Sequence, residues 1–430
     1  MEDAELVTTE PMYTTGPFRG LSPNVIRLGI VSFFADVSSE MLYPIIPIFL
    51  VSILGASPAL LGVIEGAAEA TASLMRVVSG MLSDRTGKRK PFIFSGYFLS
   101  AVAKALLALA TAWPMVFLAR ISDRLGKGIR VSPRDAMVAD SVSAEYRGAA
   151  FGWHRAFDTA GSAVGPLITL LLLFLLTGSL LHVNSAGDAE NRTLRLIMLI
   201  AVIPGLIGAL ITLTAREPRK PITAGAKKPS IRFSELPGTF QQFIIGWGIF
   251  AFVNSSDMFL VLRAKQSGLS TVTVILVYTM YNLVYAIASP ILGKSSDKIG
   301  RQRVIVGGLV VFALVYLGFG FATASWQIWV LFAAYGLYIA ATDGVGKAFI
   351  IDLVAPEIRG GAVGLFNAVA GIATLLASLI AGLLWSGIGP WATFIFGALG
   401  AVVSALYLAF LHVPPREKEP VPAVELETPG

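Results

Sequence analysis

Polar residues break this chain at intervals of roughly 20 to 30 residues, and between the breaks the sequence is almost uninterruptedly apolar. A helix rising 1.5 Å per residue needs about 20 apolar residues to cross a bilayer core. Twelve runs reach that length, at roughly 24–54, 59–82, 91–111, 114–139, 147–176, 193–214, 238–262, 271–293, 303–322, 326–351, 361–385 and 391–412. Hydrocarbon offers the backbone no hydrogen-bond partner, so such runs fold as spanning helices, here numbered spans 1–12. Composition agrees. Only 14% of the 430 residues are charged and 55% are hydrophobic, against about 25% charged in soluble domains. The expected fold class is an all-α membrane protein with 12 transmembrane helices.

The charges are placed as unevenly as they are scarce. Arg85, Lys88, Arg89 and Lys90 follow span 2, Arg216 to Arg232 follow span 6, and Lys294, Lys298, Arg301 and Arg303 follow span 8. The turns at 55–58, 112–114 and 386–390 hold no lysine or arginine. By the positive-inside rule the cationic loops and both termini are cytoplasmic, in the inner (cytoplasmic) membrane of the cell. The net charge of +6 is therefore an orientation signal, and nucleic acid is not an expected partner. Residues 1–22 have no apolar h-region, so span 1 itself is expected to direct insertion. The chain divides into a tail (1–22), a six-helix bundle (23–214), a Pro- and Lys-rich cytoplasmic linker (215–237), a second bundle (238–412) and a disordered tail (413–430). An outward loop, 177–192, ends on a possible glycosylation acceptor, Asn191-Arg192-Thr193.

The halves repeat each other. Gly80, Asp84, Arg85, Gly87 and Arg89 after span 2 have counterparts in Gly293, Asp297, Gly300 and Arg301 after span 8, with Gly80 and Gly293 213 residues apart. The stretch Asp140 to Gly152 parallels Asp352 to Gly364, and Ser38-Ser39-Glu40-Met41 resembles Ser255-Ser256-Asp257-Met258. Internal duplication of this kind is common in transporters.

These features together resemble the major facilitator superfamily, over about residues 24–412. Gly80–Lys90 is similar to that superfamily's signature between helices 2 and 3, and a second copy between helices 8 and 9 is usual there. Arg120 stands where its second motif has a buried arginine. Gly152, Gly161, Gly165 and Pro166 follow G-x8-G-x3-G-P, similar to the motif of the 12-helix drug:proton antiporters, although Thr169 and Leu170 replace its next two glycines. The charged run from Arg120 to Asp135 resembles an orphan branch of bacterial and archaeal permeases. The resemblance implies two pseudo-symmetric six-helix bundles rocking about a central site. It also implies that Asp84 engages span 11 and latches the halves while the site faces outward; the plainer alternative is a solubilising hairpin.

Several ionisable side chains lie at bilayer depth, where they normally face a cavity or a partner. Asp36 and Glu40 share one face of span 1, and with Glu69 of span 2 they are candidate proton carriers, or permanent ion-pair partners of span 4. Glu65, Glu69 and Arg76 stripe span 2; Arg120, Asp123, Arg124, Lys127 and Arg130 stripe span 4. Further central-cavity candidates are Asn254 and Asp257 in span 7, Tyr278, Asn282 and Tyr285 in span 8, and Asp343 and Lys347 in span 10. The last two are four apart and most simply neutralise each other. Substrate charge stays open on this reading.

The function expected is proton-coupled export of a small solute by alternating access, acting as a monomer on a solute and protons. Import by symport or uniport is the alternative, and a non-transporting scaffold or receptor a third. No H-E-x-x-H, G-x-S-x-G or P-loop pattern is present, and His154, His182 and His412 stand far apart. No enzymatic activity, cofactor or metal is expected.

Overall fold

The computed structural model describes residues 20–143, 146–177, 188–217, 233, 236–355 and 358–412. The N-terminal tail to residue 19, most of the expected linker and the tail from residue 413 lie outside the described residues, as does His182. Within them the chain is helical throughout, with no strand. Span 1 is α1 (Pro23–Glu40), a short α2 (Ile46–Ile48) and a π-helical turn at Phe49–Ile53. Spans 2–6 are α3 (Pro58–Thr86), α4 (Lys90–Ala108), α5 (Trp113–Asp140), α6 (Arg147–Thr177) and α7 (Asp188–Thr212). Span 7 is split into α8 (Gly238–Ala251) and α9 (Met258–Gln266). Spans 8–12 are α10 (Thr271–Ile299), α11 (Arg301–Phe321), α12 (Ser325–Leu353), α13 (Arg359–Gly387) and α14 (Pro390–Ala409).

Local chemistry sets the ends. Pro23, Pro58, Pro91, Pro114 and Pro390 occupy first turns, where a missing N–H costs nothing. The Ser57 hydroxyl accepts the Leu60 N–H at 3.3 Å and caps α3. The two signature glycines close the helices before the basic hairpins: Gly87 has φ 66° and Gly300 φ 99°, conformations a side chain would strain. The signature acids stand in helix, not loop. α3 and α10 run past the apolar limits at 82 and 293, so Asp84 and Asp297 lie within their final turns. The apolar pattern marks the bilayer, whereas backbone hydrogen bonding continues beyond it. Likewise α7 begins five residues before the expected start of span 6 at Thr193, and Asn191 Oδ1 there accepts a 2.7 Å bond from Arg195 Nε. The Asn-Arg-Thr triplet is therefore helical.

Eight helices (α4, α6, α7 and α10–α14) are apolar and long enough to cross a membrane by composition alone. The remaining four crossings are interrupted or charged. α3 and α5 carry the ionic stripes, and spans 1 and 7 are broken. In span 1 the break at residues 41–45 contains Pro44, which has no N–H to give; Thr169 Oγ1 donates to the Met41 carbonyl there at 2.8 Å. Span 7 breaks at residues 252–257 without a proline. The two breaks fall in corresponding places, beside Glu40 and Asp257.

Helices α1 and α3–α7 pack as one bundle and α8–α14 as the other, with α3 against α13, α6 against α10 and α2 against α9 joining them. Small residues allow the close approaches. A Cβ at Gly161 would lie 2.5 Å from the Phe33 carbonyl, and one at Gly165 2.8 Å from both Glu40 Cβ and the Val37 carbonyl, so α6 rides directly on the acidic face of α1. The second bundle is instead filled by aromatics, among them Phe312 and Tyr316, whose rings stack at 3.9 Å. Leu74, Leu175, Leu314 and Leu383 are exposed, as lipid-facing side chains are.

The basic face is the end bearing the two cationic hairpins. At the opposite face the halves are joined: the Ala59 N–H donates to Ser386 Oγ at 3.0 Å, and Thr271 Oγ1 to Glu190 Oε1 at 2.8 Å. Along α3 and α13 the backbones meet at Gly62, Gly66 and Gly382, but a Cβ at Gly364, nearer the basic face, would meet nothing within 4 Å among the described residues. The bundles are joined at the opposite face, while the α3–α13 seam loosens toward the basic one.

Candidate functional site

A cavity of about 270 Å³ lies between the bundles. Its first-bundle wall is the α5 stripe. Arg120, Arg124 and Arg130 are all buried, and burial of a cation demands a partner. Arg120 has the best one: its Nε and Nη2 donate to the two Glu65 oxygens at 2.7 and 2.8 Å, a bidentate pair in which Arg120 lines the cavity and Glu65 stands behind it. Arg124 Nε lies 3.2 Å from Glu69 Oε1. Asp123 sits 3.5 Å from Arg120 and 3.9 Å from Lys104 of α4. Arg130 donates to Ser100 Oγ at 2.7 Å and lies 4.4 Å over the Tyr97 ring.

The other wall is acidic and phenolic. Asp36 lines the cavity with no hydrogen bond and no ion pair within 4 Å among the described residues. One turn further, Glu40 Oε2 accepts a 2.8 Å bond from the Tyr278 hydroxyl, across the bundle boundary. Asp257 accepts from Tyr335 at 2.6 Å and from Tyr281 at 3.3 Å. The Tyr43 and Tyr278 rings stack with centroids 5.4 Å apart.

Of the residues expected from sequence, Asp36, Glu40, Glu69, Arg120, Asp123, Arg124, Asp257 and Tyr278 meet in this lining. Asn254, Asn282, Asp343 and Lys347 stand outside it. Asn254 donates to the Tyr338 hydroxyl at 3.4 Å, and Asn282 to the Tyr278 carbonyl at 3.2 Å. Asp343 does pair with Lys347, at 2.8 Å, but also takes a 3.0 Å bond from Arg155 of α6, which donates to Tyr285 as well. This cluster bridges the bundles toward the basic face. Lys104, Tyr43 and Arg155 were not singled out in the sequence; a lone ionisable residue inside an apolar span was the available signal for the lysine and the arginine.

The two hairpin signatures carry matching ion pairs. Arg89 Nη2 is 2.8 Å from Asp140 and 3.8 Å from Asp84; Arg301 is 3.0 Å from Asp352 and 3.4 Å from Asp297. Each joins two repeated motifs within one bundle. Of the helix 5 pattern, Gly161 and Gly165 contact α1, Pro166 is buried, and a Cβ at Gly152 would meet nothing within 4 Å among the described residues.

Comparison with known proteins follows the same duplication. The family model described as Major Facilitator Superfamily matches residues 28–262 and again 238–429. The chain belongs to this superfamily. An uncharacterized MFS-type transporter of Methanocaldococcus jannaschii is 37% identical over 400 residues, covering 91% of this chain and 96% of its own. Multidrug resistance protein MdtH of Photorhabdus laumondii is 32% identical over 133 residues, which span 31% of this chain and 33% of that one. The solved structure of an aspartate-to-alanine mutant of the nucleoside transporter NupG covers 90% of this chain and 99% of its own with a TM-score of 0.71 at 16% identity, a likeness of fold. As a superfamily member the protein is a multi-pass membrane transporter of a small molecule, built as two six-helix bundles, and not an enzyme.

Proposed function

We propose that this transporter exports its solute in exchange for protons, with the inter-bundle cavity as the solute site and Asp36 and Glu40 as the proton carriers. The observation that supports it most is Asp36: Glu65, Glu69 and Asp123 are held by cations, whereas Asp36 faces the cavity with no partner within 4 Å among the described residues. A carboxylate so placed is available to protons and to solute in turn. Because α6 packs on Asp36 and Glu40 through Gly161 and Gly165, occupancy of these acids is sensed by a helix that also contacts the second bundle.

On the positive-inside reading the basic face is cytoplasmic, so the arrangement described is closed outward, with the α3–α13 seam parted inward and both termini inside. Solute enters from the cytoplasm, displaces a proton, and the bundles rock to open the opposite face; a proton then resets the carrier. Both cavity walls come from one chain, so a monomer suffices. The direction is supported by the helix 5 pattern and the partial likeness to MdtH. In this cycle the signature acids Asp84 and Asp297 act as gate elements. The test begins with a thermal-shift screen of the purified protein at two pH values. The ligand found is then offered to everted vesicles with an acid interior. Accumulation driven by that gradient is expected; accumulation driven only by the opposite gradient would make the protein a symporting importer instead.

A further inference from the structure

We propose that the cavity takes a small amphoteric solute, its acidic group bound by Lys127 and Arg130 and its basic group by Glu40 and Asp257. Every cation of the lining comes from α4 or α5. Three are already matched with carboxylates: Lys104 with Asp123, Arg120 with Glu65 and Arg124 with Glu69. Lys127 and Arg130, one turn apart on the same face, have no carboxylate within 4 Å among the described residues, although both line the cavity. The Arg130 residue is only 6% exposed, and its Nε has no hydrogen-bond partner among the described residues. Two cations in that position leave a charge requirement that a buried site does not tolerate unmet. Asp36, within electrostatic reach of both, supplies one negative charge against two positive ones, and shares its surroundings with Asp158 of α6. A carboxylate or phosphate on the solute completes the set, and Arg130, whose guanidinium is planar and fixed over Tyr97, is suited to receive it.

The far wall has the complementary layout. Glu40 and Asp257 occupy matching places in the two halves, each beside a helix break, and neither has a cation within 4 Å among the described residues. Tyrosine hydroxyls orient both carboxylates and leave them facing the cavity. Carboxylates flanked by the faces of Tyr43, Tyr278 and Tyr281 suit an ammonium or a similar basic group. The volume of about 270 Å³ lies just below the roughly 300–1,000 Å³ of drug-sized pockets, which fits a solute of amino-acid size. This assignment rests on the proposed exchange, since the solute's basic group and a proton then contend for Glu40.

Two ligand series test it on the full-length protein in detergent, by calorimetry without any proton gradient. One compares phenylalanine with phenylpropionate and phenethylamine; the other compares norleucine with hexanoate and hexylamine. In at least one series the amphoteric member binds about tenfold or more tightly than either singly charged one, the difference expected for one charge-assisted hydrogen bond. Lys127→Gln removes its advantage over the amine, and Glu40→Gln its advantage over the acid. Equal binding of amine and amphoteric ligand, no binding in either series, or an order unchanged by Lys127→Gln overturns the assignment, and the wild-type comparison stands even where a variant does not fold. Dependence on Lys127 without any response to an imposed pH gradient would leave the site in place and sink only the coupling.

Discussion

Glu40 on α1 accepts a 2.8 Å hydrogen bond from the Tyr278 hydroxyl on α10, and the bond crosses from the first bundle to the second. Just beyond α1, in the break of span 1, the Tyr43 ring stacks on that of Tyr278 and joins the halves again. Protonating Glu40, or pairing it with a solute, changes what Tyr278 can donate to. The chemistry of the site and the contact between the halves are thereby one structural unit.

Removing that bond shifts the balance between open and closed forms. Hydrogen bonds to charged groups contribute about 1.5–3 kcal/mol, so Tyr278→Phe moves the population ratio by roughly tenfold or more toward opening of the opposite face. The chain has no cysteine, so spin labels at Ser52→Cys and Ile388→Cys report on that face without background. A longer mean distance in Tyr278→Phe is expected. An unchanged distance distribution would show that the bond does not hold the halves.

The Glu65–Arg120 pair has a stability role distinct from transport. Breaking a buried, bidentate ion pair by removing one partner costs about 3–5 kcal/mol, so Glu65→Gln is expected to lower the melting temperature in detergent sharply. The double replacement Glu65→Leu with Arg120→Met should recover most of that loss, because no charge is then stranded. A double variant as unstable as the single one would contradict this account.

Crowding on α6 predicts a contrast within one motif. A methyl group at Gly165 would press on Glu40 and the Val37 carbonyl at 2.8 Å, whereas one at Gly152 meets nothing within 4 Å. Overpacking of that kind costs about 1–3 kcal/mol. Gly165→Ala should therefore destabilise the protein and slow transport, while Gly152→Ala leaves both near the parent values. Equal effects would remove the α1–α6 contact from the mechanism.

Much of this was legible in the residues because each strong signal had a physical cause. Gly87 and Gly300 were marked by the repeat, and both adopt the positive φ that only glycine takes easily. Asp36, Glu40 and the α5 stripe were conspicuous as charges in apolar runs, and they meet in one cavity. The missing parts were marked more weakly. The split of span 7 at residues 252–257 has no proline to announce it; the weak match of Ser255-Ser256-Asp257-Met258 to span 1 was its one trace. Lys104 is a single charge with no partner at helical spacing, because Asp123 comes from a neighbouring helix. Asp343 and Lys347 read as a self-contained pair because the third member, Arg155, arrives from the other bundle.

The most direct measurement is proton release on ligand binding, followed in weakly buffered detergent solution with the ligand identified by the thermal-shift screen. The account predicts about one proton released per ligand bound by the wild type near neutral pH, by the exchange of a carboxyl proton for solute. It predicts almost none from the Asp36→Asn, Glu40→Gln double variant. Binding that releases no proton from the wild type, or the same number from the double variant, would contradict it.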